Sequence, residues 1–455
     1  MTVDTLIIGG GPAGLTAACF SAGPALVVEH QKAPARKLLA TGGGRCNLTH
    51  DTDADGIIAA FGRQGRFMSP ALNAFPPAAV RAFFAGLGVE TRAEPDGCVF
   101  PVSQKAADVA QALERAARAA GAEIRCGVRA ERLVVSPDGD LTAVQTSGGP
   151  IHARRVILAA GGRSYPALGS DGSGFTLARE AGLAVTPPVP ALAGLVTREP
   201  WPATLAGIVL DSAGLRLDAP GLPKTWLTGP VLFTHKGVSG LPAINLSGEI
   251  SARLGARPAA ARNPAARNPC HPAAHNPCSS AALSAEKAPP HASGDGAPEL
   301  QHPGGQSPDV RLRLACVAGR SAADWRALFD GWRQRHGGRA LHNLLSGELP
   351  RAVAAVLCGL AGAQNLAAAR ASKGVLDALA AACAEQPLHV TGTEGWERAM
   401  VTRGGVALSE LDPKTLASRR VRGLFCAGEV VDLDGLCGGY NLTWAFASGR
   451  LAGMG

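Results

Sequence analysis

The chain has 455 residues, which predicts two to four domains, and 46% of them are hydrophobic, enough for sizeable cores. Its charged residues (18%, net charge +8) form no clustered basic and aromatic run, so we expect no nucleic-acid partner. No stretch approaches about 18 uninterrupted apolar residues, so no membrane span is expected, and eleven cysteines without a CxxC pair favour a reducing, cytoplasmic location.

The first elements predict a dinucleotide-binding unit. Residues 4–8 are predicted as a buried strand, 12–22 as a helix and 25–29 as a second strand. Gly9–Gly14 fits G-x-G-x-x-G, in which glycines permit a tight turn, a close pyrophosphate and close helix packing. Glu29 ends the second strand, where a carboxylate binds ribose hydroxyls and disfavours a 2′-phosphate. The cofactor contacts expected here are Gly9, Gly11, Pro12, Ala13, Gly14 and Glu29.

Alternating helices and strands follow this unit. Helices are predicted at 77–87 and 105–120, and strands at 123–126, 129–134 and 155–159. The alternation indicates a parallel α/β sheet. Val128, just before one of these strands, is a further expected cofactor contact.

The middle of the chain has a different composition. Short Val, Leu and Ile runs at 190–250 predict a small β domain, and 321–385 predict several helices. Between them, 255–308 carry ten prolines and no aromatic, Val or Ile residue, which predicts a disordered insertion. Its Ala, Asn and Pro repeats predict no zinc fold, so we expect no metal there. The residues that mimic metal ligands in it are Cys270, His271, His275 and Cys278.

The C-terminal segment favours a flavin over NAD. Residues 424–429 predict a strand that ends in Ala-Gly-acid, and a helix is predicted at 442–452. With 156–162, these segments resemble strand ends of the two-dinucleotide-binding flavoprotein superfamily, which implies FAD. Gly438 and Gly439 are expected to let the backbone approach the flavin, and Asn441 to cap the helix. The contacts implied are Ala160, Gly161, Gly428, Glu429, Gly439, Tyr440, Asn441 and Leu442.

A more specific motif lies at 36–49, Arg-Lys-Leu-Leu-Ala-Thr-Gly-Gly-Gly-Arg-Cys-Asn-Leu-Thr. It resembles the signature of a bacterial FAD-dependent oxidoreductase family that includes aminoacetone-oxidase-like and bile-acid-enone-reductase-like flavoproteins. Residues 100–106 and 402–406 match the same family, whereas Thr41 stands where the family usually has Ser. The cofactor contacts that this resemblance implies are Lys37, Thr41, Gly42, Gly43, Gly44, Arg45, Cys46 and Asn47.

The resemblance implies a fold class and a domain organisation. The fold expected is α/β, a Rossmann-like two-dinucleotide-binding flavoprotein fold with an inserted β-barrel plus helical domain. The predicted parts are an FAD-binding domain of 1–190 and 396–455, an inserted β-rich domain of 191–254 and 309–320, the insertion 255–308, and a helical part of 321–395.

The function implied is an FAD-dependent oxidoreductase acting on a small organic substrate. Only one complete dinucleotide fingerprint occurs in the sequence, so NADH or NADPH would donate electrons from a transient position. A flavin-dependent tRNA-modifying enzyme and a non-catalytic flavin-binding regulator stay open as alternatives. Substrate, electron donor and oligomeric state are also open.

Individual side chains with possible chemistry are few. His235 and Tyr440 are candidate proton donors, although a turn-stabilising role is the stronger interpretation for His235. Arg45 can bind an anionic group or form a structural salt bridge. Cys426 and Cys437 are interpreted as packing residues.

Overall fold

The structure, a computed structural model, describes residues 1–219, 224–255 and 310–455. The strands in these ranges are β1 (Thr2–Ile8), β2 (Ala25–Glu29), β3 (Thr49–His50), β4 (Thr91–Ala93), β5 (Cys98–Pro101), β6 (Glu123–Cys126), β7 (Ala130–Val135), β8 (Leu141–Thr146), β9 (Gly149–Leu158), β10 (Val185–Ala191), β11 (Leu195–Thr197), β12 (Val209–Asp218), β13 (Leu227–Thr234), β14 (Gly237–Ser239), β15 (Val310–Ala315), β16 (Gln386–Thr393), β17 (Val401–Val406) and β18 (Leu424–Cys426).

Helices alternate with the strands in the first part of the chain and cluster in the second. They are α1 (Pro12–Cys19), α2 (Ala54–Ala60), α3 (Ser69–Ala74), α4 (Pro77–Gly86), α5 (Ala106–Ala119), α6 (Ser173–Glu180), α7 (Trp201–Thr204), α8 (Leu241–Gly255), α9 (Ala322–Arg335), α10 (Leu341–Leu345), α11 (Arg351–Leu360), α12 (Lys373–Glu385) and α13 (Tyr440–Met454).

A parallel sheet in the order β6-β2-β1-β9-β18 forms the centre of the molecule. The N-terminal half of β9 also pairs antiparallel with β8, which pairs with β7. Leu6 and Ile7 of β1 are fully buried because helices cover both faces of such a sheet. The expected parallel α/β sheet is therefore confirmed.

Both ends of the chain contribute to this part of the molecule because α13 packs directly on α1. A Cβ atom at Gly449 would lie 2.3 Å from the Ala13 carbonyl oxygen, and one at Gly453 would lie 2.5 Å from that of Ala17. These two glycines let the helix backbones touch. The C-terminal segment is thereby held against the first β-α-β unit.

The middle of the chain forms a second body with its own core. Strands β11, β14, β13, β12, β15 and β16 close into a six-stranded barrel, and α9–α12 cover it. Trp325 and Phe329 of α9 are fully buried in a hydrophobic cluster separate from that of the parallel sheet. This confirms the expected inserted β-barrel and helical part. The predicted domain boundaries themselves stay a prediction.

Two connections join the bodies. The antiparallel ribbon of β10 and β17 carries the chain out and back. Helix α8 lies against the C-terminal segment: a Cβ at Gly248 would lie 3.1 Å from Asp434, and Glu249 pairs with Arg403 at 3.0 Å. The inserted part therefore meets the parallel-sheet part along one face of α8.

Several predicted bounds need correction. The helix predicted at 12–22 ends at Cys19, and the helix predicted at 442–452 runs from Tyr440 to Met454. Except for Gly255, the predicted disordered insertion 255–308 lies outside the described residues, as do its candidate metal ligands. Within the described ranges, no helix is long and apolar enough to cross a membrane.

Candidate functional site

A cavity of about 890 Å³ lies where the parallel strands end. Its walls include Gly9 after β1, Glu29 at the end of β2, Gly161 after β9 and Gly428 after β18. Ligands of open α/β sheets bind at this edge, outside the carboxyl ends of the strands. The size suits a cofactor or drug-sized ligand.

Three glycines shape the first loop, and each for a different reason. Gly9 has φ +107°, and a Cβ there would lie 2.4 Å from the Ala159 carbonyl oxygen. A Cβ at Gly14 would lie 1.9 Å from the Gly9 carbonyl oxygen. At Gly11, by contrast, a Cβ would meet no atom within 4 Å, because this residue faces the open cavity. A side chain at Gly11 would therefore occupy ligand space without disturbing the fold.

The N-terminus of α1 supplies hydrogen-bond donors to this space. Leu15 donates its N–H to the Gly11 carbonyl, whereas the N–H groups of Gly11, Ala13 and Gly14 have no acceptor within the described residues. Unpaired N–H groups and the helix dipole attract anions. The loop thus offers a phosphate-type site made of backbone alone.

Glu29 is held in place beside this loop. Its Oε2 accepts the Gly10 N–H at 2.8 Å, and its Oε1 accepts the Gln31 N–H at 2.8 Å. The side chain is nearly buried yet lines the cavity. Carboxylate oxygens have further lone pairs for ligand hydroxyls. Val128, whose N–H donates to the Glu29 carbonyl, lines the same end.

The segment with the three consecutive glycines turns back at the cavity wall. Gly42, Gly43 and Gly44 have φ of +56°, +67° and +88°, a left-handed run that only glycine adopts without strain. A Cβ at Gly43 would meet nothing within 4 Å, so this residue faces open space. Cys46, also at positive φ, is fully buried.

Arg45 follows this run and is engaged in a structural pair. Its guanidinium donates to Glu94 at 2.9 Å and to Gln104 at 3.1 Å, and lies 3.9 Å above the Phe100 ring. Of the two roles left open by the sequence, the salt bridge is the one that the structure contains.

Lys37 and Glu429 bind each other across the cavity wall. Lys37 Nζ lies 2.7 Å from Glu429 Oε2 and 2.6 Å from the hydroxyl of the fully buried Ser164. Glu429 Oε1 also accepts the Thr402 N–H at 2.9 Å. This network joins the 36–49 segment to the turns after β9 and β18.

The start of α13 corrects one expectation. Gly439, not Asn441, is the residue before the helix, and Asn441 lies within its first turn, accepting the Gly435 N–H and donating to its carbonyl. A Cβ at Gly439 would lie 2.4 Å from the Thr49 carbonyl oxygen, so packing on β3 already requires a glycine here. The N–H groups of the first turn still face the cavity wall.

A polar cluster that sequence reasoning missed lines the wall beside Tyr440. The His50 ring stacks on the Tyr440 ring at 4.7 Å, and His50 Nδ1 donates to the Gly438 carbonyl at 3.0 Å. Burial raises the pKa of the Tyr440 hydroxyl, so this hydroxyl keeps its proton at neutral pH. It has no hydrogen-bond partner among the described residues.

Cys98 belongs to the same cluster. It faces His50 across the β3–β5 pair, and burial raises the pKa of its thiol to about 11. Cys437 lines the cavity nearby, and burial raises its thiol pKa as well, whereas Cys426 is fully buried. Both cavity cysteines are therefore protonated thiols. The pairing of Cys98 with His50 depends on β3 and β5, short strands that no sequence pattern predicted.

Most of the predicted cofactor contacts line this one cavity. The exceptions are Gly14, Gly44 and Cys46. His235 lies in the turn between β13 and β14, outside the cavity lining. No group of three or more metal-binding side chains occurs in the ranges that the structure describes.

Comparisons with known proteins agree with this architecture. A family model described as HI0933-like protein Rossmann domain matches residues 3–455. The chain is 31% identical over 454 residues to the 3-dehydro-bile acid delta(4,6)-reductase of Clostridium scindens, across 98% of this chain and 97% of that protein. It is 26% identical over 458 residues to the ribosomal RNA dihydrouridine synthase of Escherichia coli, across 98% and 96%.

Among solved structures, the open conformation of a flavocytochrome c3 fumarate reductase is similar to this chain. The alignment covers 100% of this chain and 78% of the reductase chain. The TM-score is 0.46, at 15% sequence identity.

Proposed function

This chain belongs to the HI0933-like family and is an oxidoreductase, and we propose that it uses FAD to reduce a carbon–carbon double bond conjugated to a carbonyl group in a small, largely apolar substrate. The electron donor in this proposal is NADH or NADPH. The observation that carries the proposal is one continuous cavity with a backbone phosphate site in one wall and an unpartnered, protonated tyrosine in another.

The names of the two relatives point to one kind of bond. A delta(4,6)-reductase of a 3-dehydro-bile acid acts on ring double bonds conjugated to a ketone. A dihydrouridine synthase acts on the uracil ring, whose double bond is also conjugated to a carbonyl. Reduction of a bond of this kind adds a hydride to the carbon far from the carbonyl and a proton to the near carbon. We assign the same bond type to this chain.

The residues present fit FAD. The N–H groups of Gly11 and Ala13 would hold the pyrophosphate, and Glu29 would accept the ribose hydroxyls of the adenosine. When bound, FAD supplies the hydride chemistry. The open space in front of Gly11 is consistent with a close approach of the phosphates.

The chain's own contribution to the reaction would be a proton. Tyr440 carries a hydroxyl that is protonated, unpartnered and part of the cavity wall. His50 stacks on its ring and fixes its orientation. Proton transfer from a positioned side chain typically accelerates a reaction by about 10²–10⁴-fold. Tyr440 is therefore the proposed proton donor to the substrate.

A second candidate function is reduction of a uracil in RNA, which the 26% identity to the synthase favours. Exposed apolar side chains at the cavity, Leu241, Met400 and Leu436, favour the small-molecule function, because RNA backbone contacts are charged and polar.

The test begins with the purified protein, which should release FAD on denaturation. Anaerobic mixing with NADH or NADPH should bleach its flavin absorbance, and a conjugated 3-oxo steroid should restore it. Ribosomal RNA from cells lacking the protein forms the second arm, assayed for dihydrouridine. Recovery with RNA alone would replace the proposal by the RNA function, and no recovery with either would exclude both substrate classes.

A further inference from the structure

Asn245, on the second turn of α8, is a cavity residue contributed by the inserted part of the chain. Its Oδ1 accepts the N–H of Cys437 at 2.9 Å. This bond spans the two bodies, since Cys437 belongs to the C-terminal segment that packs on the parallel sheet. Neither sequence motif nor resemblance singled out Asn245.

The bond to Cys437 fixes which way the amide faces. A backbone N–H is a donor, so the oxygen of the amide must lie towards it and the NH₂ group must point elsewhere. Among the described residues, Nδ2 has no hydrogen-bond acceptor. The side-chain atoms that are both buried and without a partner do not include Nδ2, so this atom is not buried. Asn245 therefore presents an accessible, oriented donor.

The surroundings of this donor are apolar. Leu241, one helical turn before Asn245, is 41% exposed, and Leu436, next to Cys437, is 39% exposed. Both line the cavity. Exposed large apolar side chains in a concave site mark a ligand surface, and a few placed polar groups within such a site fix the ligand's orientation.

We propose that Leu241, Leu436 and the amide of Asn245 form the subsite for the substrate's carbonyl group, with the leucines packing on an apolar ring system and Asn245 donating to the carbonyl oxygen. The subsite selects a ketone over an alcohol, because the alcohol would bring an O–H donor that needs an acceptor into apolar surroundings. This inference rests on the proposed function and names the substrate feature that the site recognises.

A purely structural role for Asn245 would need only its oxygen. The joint between the bodies has another contact, the pair of Glu249 with Arg403 at 3.0 Å. The variant Asn245→Asp separates the two roles. It keeps an oxygen for the Cys437 N–H at the same size, and it removes the donor.

The experiment measures binding, not turnover. A saturated 3-oxo steroid acid and its 3-hydroxy counterpart are titrated into the FAD-loaded protein, and dissociation constants are read from flavin absorbance changes and equilibrium dialysis. The wild type should prefer the ketone, and Asn245→Asp should lose this preference by roughly tenfold. Comparing two ligands on one variant cancels the repulsion between the new carboxylate and the acid group that both ligands carry. The carboxylate accepts from the hydroxyl but cannot donate to the ketone, so the preference should fall.

Two further variants check the apolar part. Leu241→Ala should weaken both ligands by a similar factor, whereas Leu360→Ala, at an equally exposed leucine of α11 outside the cavity lining, should change neither. Unfolding temperatures of Asn245→Asp and the wild type should agree. A wild type that shows no preference or binds neither ligand, or an Asn245→Asp protein that keeps the preference, overturns the subsite.

The two proposals can fail separately. If conjugated ketones are reduced but Asn245→Asp leaves ketone preference intact, the proposed function stands and the subsite is wrong. If no conjugated ketone is reduced but the wild type prefers the ketone and Asn245→Asp does not, the subsite stands and the proposed reaction is wrong.

Discussion

The two ends of the cavity are built in different ways. At the α1 end, one contiguous β-α-β unit supplies backbone donors and the Glu29 carboxylate, and its shape is enforced by Gly9 and Gly14, where a Cβ would collide with main-chain atoms. At the α8 end, the wall is side chains from three distant segments, including His50, Asn245 and Tyr440. Exposed leucines occur at this second end.

This difference fits the proposal that a cofactor stays bound at the α1 end and a substrate exchanges at the α8 end. Backbone donors at a helix N-terminus hold their positions whether or not a ligand is bound, which suits a cofactor that stays. The α8 end is assembled from two bodies with separate cores, joined by a ribbon and one helix face. Such a joint suits a substrate that enters and leaves.

The largest expected effect tests the α1 end. Gly11→Leu should give a folded protein without FAD, because its side chain would fill the space in front of the α1 N–H groups and its Cβ meets no protein atom within 4 Å. Absorbance at the flavin band and circular dichroism measure the two properties. Gly23→Leu, at a glycine with equally open surroundings outside the cavity lining, should keep the flavin. A yellow Gly11→Leu protein would contradict the assignment.

The α1 end is also the end that sequence could predict. A loop, helix and strand within about 20 consecutive residues carry its donors and its carboxylate, so local spacing sufficed. Resemblance likewise predicted the barrel and the fold class. The α8 end brings together β3, β5, α8 and residues 436–440, and no spacing rule connects segments hundreds of residues apart. Asn245 and His50 were missed for that reason, as was the packing of Gly439 on Thr49.

The second prediction concerns the ion pair of Lys37 and Glu429, in the wall after β18. Lys37→Met should destabilise the protein by about 3 kcal/mol, because it leaves a largely buried carboxylate without its cation. Urea unfolding measures the effect. Arg81→Met breaks the more exposed pair with Asp51 and should cost less than about 1 kcal/mol. Equal losses in both variants would show that the wall pair has no special role.

The third prediction tests the α8 end through Tyr440. Tyr440→Phe should slow reoxidation of the reduced enzyme by the conjugated ketone about a hundredfold, equal to about 2.7 kcal/mol of barrier. Reduction by NADH or NADPH should be unchanged, because that half-reaction needs no proton from the tyrosine. The chain has one other tyrosine, Tyr165, which also lines the cavity. Tyr165→Phe should slow reoxidation less than about threefold; an equal loss would remove Tyr440 as the donor.

The smallest expected effect lies at the joint behind the α8 end. Burial raises the pKa of the Asp434 carboxyl to about 6, although Arg403 at 3.7 Å opposes the shift. The folded protein therefore binds this proton more tightly than the unfolded chain, and the free energy of unfolding falls as pH rises from about 4 to about 6. Two pH units correspond to at most about 3 kcal/mol, and we expect about 2.

Asp434→Asn replaces the carboxyl by a group that does not titrate, so the fall in unfolding free energy between pH 4 and 6 should flatten by that amount. Urea unfolding at several pH values measures the slope. Asp53→Asn, which keeps a capping oxygen at the exposed start of α2, should retain the wild-type slope. A slope that flattens in Asp434→Asn but not in Asp53→Asn would locate the pH sensitivity where the two bodies meet. An unchanged slope in Asp434→Asn would show that the joint relaxes so that water reaches the Asp434 carboxylate. In that case the α8 end is looser than its hydrogen bonds indicate, and the contrast with the backbone-built α1 end becomes sharper.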